Sequence, residues 1–387
     1  MTRDSGKSGF NQARLEHLKS VIEDDVGRGR YLGAQMAVGR HGELGLHAAI
    51  GHGDADRKKP LKLDSVISLF STTKALTNAL VFRAIELGQF ALTTKVSEII
   101  PEFGGGLRQH VTFYHLLTHS SGLPSVYSLG QDLYIDRFDE VLATIYRTIQ
   151  STELPGVRVD YSPLVHHALM GESVRRTDPK KRSYRQLVED EILKPLGMKD
   201  TSIGVRKDLK ARHFPPVFLT PSPTQHLGHS NLGPNGAFEE EHAEMPWVGA
   251  ISTAHDMYRF AEMLRRGGEL DGARILSPAL LREARRNHTG EKPNELYKAF
   301  ALSQGWEPFP AYIGLGFTLR GTKICHHLFG NFTSPETFGH YGFGATLFWV
   351  DPELDLTFVL LTTGVMDRAG NYERCQRLSD IAVSACV

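Results

Sequence analysis

Near the start of the chain, apolar residues recur at helical spacing. Leu15, Leu18, Val21 and Ile22 fall on one face, so residues 1–30 read as a charged amphipathic helix. "GAQMAVGRHGELGLHAAIG" follows, with apolar and small residues on both sides of Arg40-His41-Gly42. That pattern predicts two strands joined by a hairpin turn. "SVISLF" is β-branched and apolar, and predicts a short buried segment. "TKALTNALVFRAIELGQF" then carries Ala75, Leu76, Leu80, Val81 and Ile85 along one helical face, with Gly88 as its stop.

Residues 91 to 210 read mainly as helices and loops, the clearest helices being "FDEVLATIYRTI" and "YRQLVEDEILKPL". Residues 213–249 are rich in Pro, Gly, His and Ser and predict a long loop. Loops longer than about 15 residues in a compact protein are usually functional or disordered. "STAHDMYRFAEMLRRGG" predicts a helix capped by Ser252 or Thr253 and ended by Gly267. Strand signals return in "YIGLGFTLRG" and in "ATLFWVDPELDLTFVLLTTG", the latter an antiparallel hairpin about "PEL". "NYERCQRLSDIAVSA" predicts a closing helix.

Strand material therefore lies near both ends and helical material between them. The expected fold class is α+β: an antiparallel sheet from residues 1–90 and 310–387, flanked by helices, with a mainly helical segment, 91–309, inserted. Composition refines this little. The 44 basic residues balance 44 acidic ones, which gives no electrostatic reason to expect nucleic acid or an anionic membrane as a partner. Three cysteines, Cys325, Cys375 and Cys386, argue against a disulfide scaffold. With no apolar stretch at the N-terminus and no run long enough to span a bilayer, a cytoplasmic protein is expected.

The chemistry begins at "LFSTTKALTN". Ser71 and Lys74 lie three residues apart, one helical turn, so a helix starting at Ser71 places both on one face. A desolvated lysine amine can accept the serine proton, and the helix N-terminus favours a developing oxyanion. The competing reading is a serine that caps the helix beside a surface lysine, and a pattern this short arises by chance. "PGVRVDYSP" offers Tyr161, a phenol able to shuttle a proton, or an amphipathic tyrosine at a helix start. "GHYGFGATLFWVDP" opens a strand with His340 and Gly342; a glycine there admits a close approach to the backbone, or merely marks a turn.

In this order the three stretches resemble the serine β-lactamase-type hydrolases: class C β-lactamases, D-aminopeptidases and family VIII carboxylesterases. The resemblance spans residues 15 to 385 and is greatest to the carboxylesterase and transesterase branch. "TFYHLLTHSSGLPS", "ILKPLGMKDTS" and "GAISTAHDMYRFAEML" are similar to further family stretches. The resemblance implies Ser71 as nucleophile, Lys74 as its base and Tyr161 as the second proton-transfer residue. His340, Tyr341 and Gly342 would stand where other members have Lys-Thr-Gly and line the substrate pocket. The N–H groups of Ser71 and Phe343 would form the oxyanion hole. No metal or cofactor is implied, and the expected partner is a small ester or acyl donor.

Two departures shift the substrate expectation. Tyr161-Ser162-Pro163 replaces the β-lactamase Tyr-x-Asn, and His340 replaces Lys. Asn and Lys there would bind an amide and a carboxylate, so the reading tilts toward esters or acyl transfer. Alternatives are an acyltransferase, a weak β-lactamase or D-aminopeptidase, and a binding protein on the same fold. His115 and His119 have metal-ligand spacing but lack the glutamate of His-Glu-x-x-His. "GHSNLG", residues 228–233, nearly matches Gly-x-Ser-x-Gly but lies in a Pro-rich loop.

Overall fold

A computed structural model describes residues 9–130, 133, 135–220, 236–344 and 346–387. The "GHSNLG" stretch and the middle of the 213–249 loop lie outside them. Six antiparallel strands form the main sheet: β1 (Gly33–Arg40), β2 (Glu43–Gly51), β3 (Thr318–Leu319), β4 (Phe338–Gly342), β5 (Thr346–Asp351) and β6 (Leu356–Thr363). Their spatial order is β2-β1-β6-β5-β4-β3, so the two chain ends meet where Gly33 pairs with Thr363 and Arg40 with Leu356.

The β1–β2 turn is the one the sequence marks. His41 and Gly42 both take positive φ, 54° and 79°, as a two-residue hairpin turn requires. "YIGLGFTLRG" yields only the two-residue strand β3, where a longer strand was expected. Gly316 sits at φ 69° and Tyr312 at φ 42°, and these left-handed residues break the extension.

Strand alternation divides the core between the two sheet faces. Leu347, Trp349, Phe358 and Leu360 join Leu15, Leu18, Ile22 and Leu378 on one side. That side is covered by α1 (Gln12–Gly27) and the C-terminal helix (Arg368–Ser384), with Trp349 Nε1 donating to Ser379 Oγ at 3.0 Å. Phe348, Val350, Val359 and Leu361 belong to the other side, where Phe348 meets Phe260 edge-on at 5.8 Å. Phe260 is on the helix Ala254–Arg265, which therefore packs on the sheet although it falls within the 91–309 segment. Its start is capped as expected: Thr253 accepts the N–H of Asp256.

A second, four-stranded sheet joins Ser202–Ile203, Ala250–Ser252, Val66–Ser68 and His213–Phe214. It delivers the chain directly into the helix α2 (Thr73–Glu86). Ten successive residues of α2, Thr73 to Phe82, are buried, so α2 is a central helix rather than an amphipathic surface one. Among the described residues, no helix is long and apolar enough to cross a membrane.

Candidate active site

Ser71 does not cap α2. It sits in a 3₁₀ turn, Phe70–Thr72, and its hydroxyl is turned to Lys74 instead of to the helix N–H groups. Phe70, just before it, has φ 50°, a left-handed conformation that costs a non-glycine residue free energy. Contacts from both sheets hold the turn. Leu69 N–H donates to Ala250 O, and Leu69 O accepts from Thr346 Oγ1 at 2.7 Å. Thr346 Oγ1 also lies 3.0 Å from Thr72 Oγ1.

Lys74 is wholly buried, and its described partners are a hydroxyl and two backbone carbonyls rather than a carboxylate. Its Nζ lies 3.0 Å from Ser71 Oγ, 2.8 Å from Pro163 O and 2.9 Å from Trp247 O. Burial drives its pKa well below the ordinary 10.5. A neutral amine has two hydrogens and one lone pair. The two carbonyls accept both hydrogens, which leaves the lone pair for the Ser71 proton.

Tyr161 also reaches Ser71. The two residues line one cavity, and the Tyr161 ring centroid is 5.3 Å from Lys74 Nζ. Burial, chiefly, holds its pKa well above 10, so it is a phenol and a donor. The loop that presents Tyr161 is pinned from two sides. Asn294 Oδ1 accepts the Tyr161 N–H at 3.2 Å, and Ser125 Oγ donates to Tyr161 O at 2.6 Å. His119 Nδ1 accepts the next N–H, that of Ser162, at 3.1 Å, and its ring packs on Tyr161 at 4.8 Å. His115, four residues earlier, bonds Thr112 instead, so the two rings serve different partners.

The His-Tyr-Gly stretch on β4 is divided by the fold. Tyr341, Gly342 and Phe343 line a cavity together with Ser71 and Tyr161. His340 lines an adjacent cavity. Burial, reinforced by Lys74, pushes its pKa down to about 3, so it is an uncharged imidazole and not a counterpart of the lysine cation. Gly342 lines the Ser71 cavity but has no room for a side chain. A Cβ there would stand 2.4 Å from Leu69 O and 2.3 Å from Thr346 Oγ1. The glycine lets β4 close on the Ser71 turn while its backbone still lines the cavity.

Several lining residues carry no sequence signal. Trp247 acts through its carbonyl, which any residue would supply. Tyr127, Tyr297 and Arg368 reach the cavity from three distant parts of the chain. Arg368 donates to Tyr127 OH at 3.1 Å, and its guanidinium lies 5.4 Å from the Tyr297 ring centroid. No spacing rule links these positions.

The family model described as Beta-lactamase matches residues 18–374. Protein Rv1367c of Mycobacterium tuberculosis is 27% identical over 379 residues, covering 90% of this chain and 89% of its own. Esterase EstB of Burkholderia gladioli is 29% identical over 275 residues, covering 64% and 69%. The crystal structure of a penicillin-binding protein homolog from Caulobacter crescentus superposes with a TM-score of 0.77 at 23% identity, covering 96% and 97%.

Proposed function

Because this chain belongs to the β-lactamase family, we propose that it is a serine hydrolase that cleaves carboxylic esters through an acyl-enzyme on Ser71. The observation that carries this reading is the buried Lys74 amine, whose hydrogens go to Pro163 O and Trp247 O while Ser71 Oγ lies 3.0 Å away. The relation to Esterase EstB supports an ester as substrate.

Each proton has a route. Ser71 Oγ attacks the ester carbonyl as Lys74 Nζ takes its hydrogen. The tetrahedral oxyanion is met by the N–H groups of Ser71 and Phe343. The carbon–oxygen bond to the alcohol then breaks, and the alkoxide takes the Tyr161 proton, which the Lys74 ammonium restores. Water attacks the acyl-enzyme, gives its proton to Lys74, and Ser71 is regenerated with release of the acid. The uncharged His340 and Pro163 supply neither the cation nor the side-chain amide that Lys and Asn would at those two positions, which favours esters over β-lactams; the Arg368 guanidinium in the Ser71 cavity is engaged with Tyr127 and Tyr297.

Incubation with p-nitrophenyl butanoate tests the reading. The wild type releases p-nitrophenol and Ser71→Ala does not. Equal release by the two would end the proposal.

A further inference from the structure

A second cavity lies beside the one that holds Ser71, and no step above uses it. The two share a wall that includes Tyr161, Tyr297 and Tyr341. The far side is mostly apolar, with Phe309, Ile313 and Phe317. Polar side chains interrupt it: Thr318, His327, whose ring nitrogens already bond Leu319 O and Phe329 N, and His119, Asn294 and His340, each of these last three 5% exposed or less.

Their hydrogen bonds fix which atoms are left over. Asn294 Oδ1 accepts the Tyr161 N–H, so its NH₂ group is the free end. His119 Nδ1 accepts the Ser162 N–H, so the neutral ring carries its proton on Nε2. His340 Nδ1 lies 2.9 Å from Tyr341 N and 3.1 Å from Tyr341 O, and assigning the shorter contact as the bond puts its proton on Nε2 as well. Among the described residues, none of these three nitrogens has a hydrogen-bond partner, and none is among the unpartnered side-chain atoms sealed from every cavity. Burial keeps both imidazoles uncharged. Buried neutral donors that line one largely apolar cavity and have no partner among the described residues are suited to an acceptor that arrives with a ligand.

We propose that this cavity is the leaving-group subsite and that it takes an alcohol bearing a carbonyl-type oxygen. The proposal rests on the assignment of Ser71 as nucleophile and Tyr161 as proton donor. Tyr161 lines both cavities, so the alcohol it protonates extends from the Ser71 cavity into the second one. Apolar walls receive the carbon chain, and the His119, Asn294 and His340 N–H groups receive the oxygen.

Two esters of the same acid test this: pentyl butanoate and its analogue with a ketone on the penultimate carbon of the alcohol. The ketone is too far from the ester to change its reactivity. The full-length wild type is expected to favour the keto ester by about tenfold in kcat/KM. Asn294→Asp keeps the acceptor for the Tyr161 N–H but puts a carboxylate oxygen where the donor was, and should reverse the preference. His340→Phe should bring the ratio toward one. Circular dichroism melting shows whether each variant is folded. A wild-type ratio near one, or a ratio unchanged in both variants, overturns the subsite.

A second arm separates this from failure of the esterase reading. The keto alcohol and 1-pentanol are titrated against Ser71→Ala by NMR. Tighter binding of the keto alcohol, lost on adding Asn294→Asp, upholds the subsite even if neither ester is cleaved. Equal binding of the two alcohols, alongside Ser71-dependent cleavage without ketone preference, rejects the subsite and leaves the esterase intact.

Discussion

Lys74 Nζ, itself wholly buried, lies 3.0 Å from Ser71 Oγ, which opens onto the cavity. Burial favours the uncharged amine, and the amine must be uncharged to act as a base. Its kinetic signature is a limb in kcat/KM that rises with pH, with a midpoint well below 10.5. Lys74→Arg keeps a cation of similar length that cannot release its proton. It should lose roughly 10²- to 10⁴-fold in kcat/KM at every pH, with the limb abolished. Initial rates on p-nitrophenyl butanoate across pH check both outcomes.

The same burial links stability to pH. Between the depressed folded-state pKa of Lys74 and 10.5, the unfolded chain binds a proton that the folded chain does not. Stability contributed by this site therefore rises with pH through that window and is lost as pH falls. Lys74→Met should remove this slope, even though it strands the carbonyls of Pro163 and Trp247. Urea denaturation at several pH values, wild type against variant, reads the slope directly.

Tyr161 acts on the leaving group, so its removal should depend on what leaves. Tyr161→Phe keeps the ring against His119 and removes only the hydroxyl. Hydrolysis of an alkyl ester should fall by roughly 10²-fold or more. Hydrolysis of a p-nitrophenyl ester should fall much less, because nitrophenolate departs without a proton. An equal loss on both substrates would remove Tyr161 from the acid role.

Gly342 sets how closely β4 meets the nucleophile turn. Gly342→Ala places a carbon 2.4 Å from Leu69 O, so strand and turn must part. Overpacking of this kind costs about 1–3 kcal/mol, and here the displaced segment carries Ser71. Lower thermal stability and a reduced kcat, with little change in KM, are expected from melting curves and steady-state rates.

Much of this arrangement is legible in the sequence because it is local. The His41-Gly42 turn, the β5–β6 hairpin about Pro352-Glu353-Leu354 and the Thr253 cap each rest on a few adjacent residues whose chemistry favours one geometry. Ser71 and Lys74 are legible for the same reason, since one helical turn brings them together. The Ser71 turn itself is not: its 3₁₀ geometry and the left-handed Phe70 are held by Thr346 and Ala250, far along the chain. The partners of Lys74 are invisible for another reason, because they are backbone carbonyls and have no residue signature. His340 shows a third limit. The residue type suggested a substitute for lysine, but its role depends on which cavity the strand turns it toward.

Mass spectrometry of the protein trapped during turnover tests the central claim most directly. After rapid mixing with p-nitrophenyl butanoate and acid quench, the account predicts one butanoyl group per chain, located on the peptide that contains Ser71. It also predicts no such adduct in Ser71→Ala. An adduct on any other residue, or full turnover by Ser71→Ala, would contradict it.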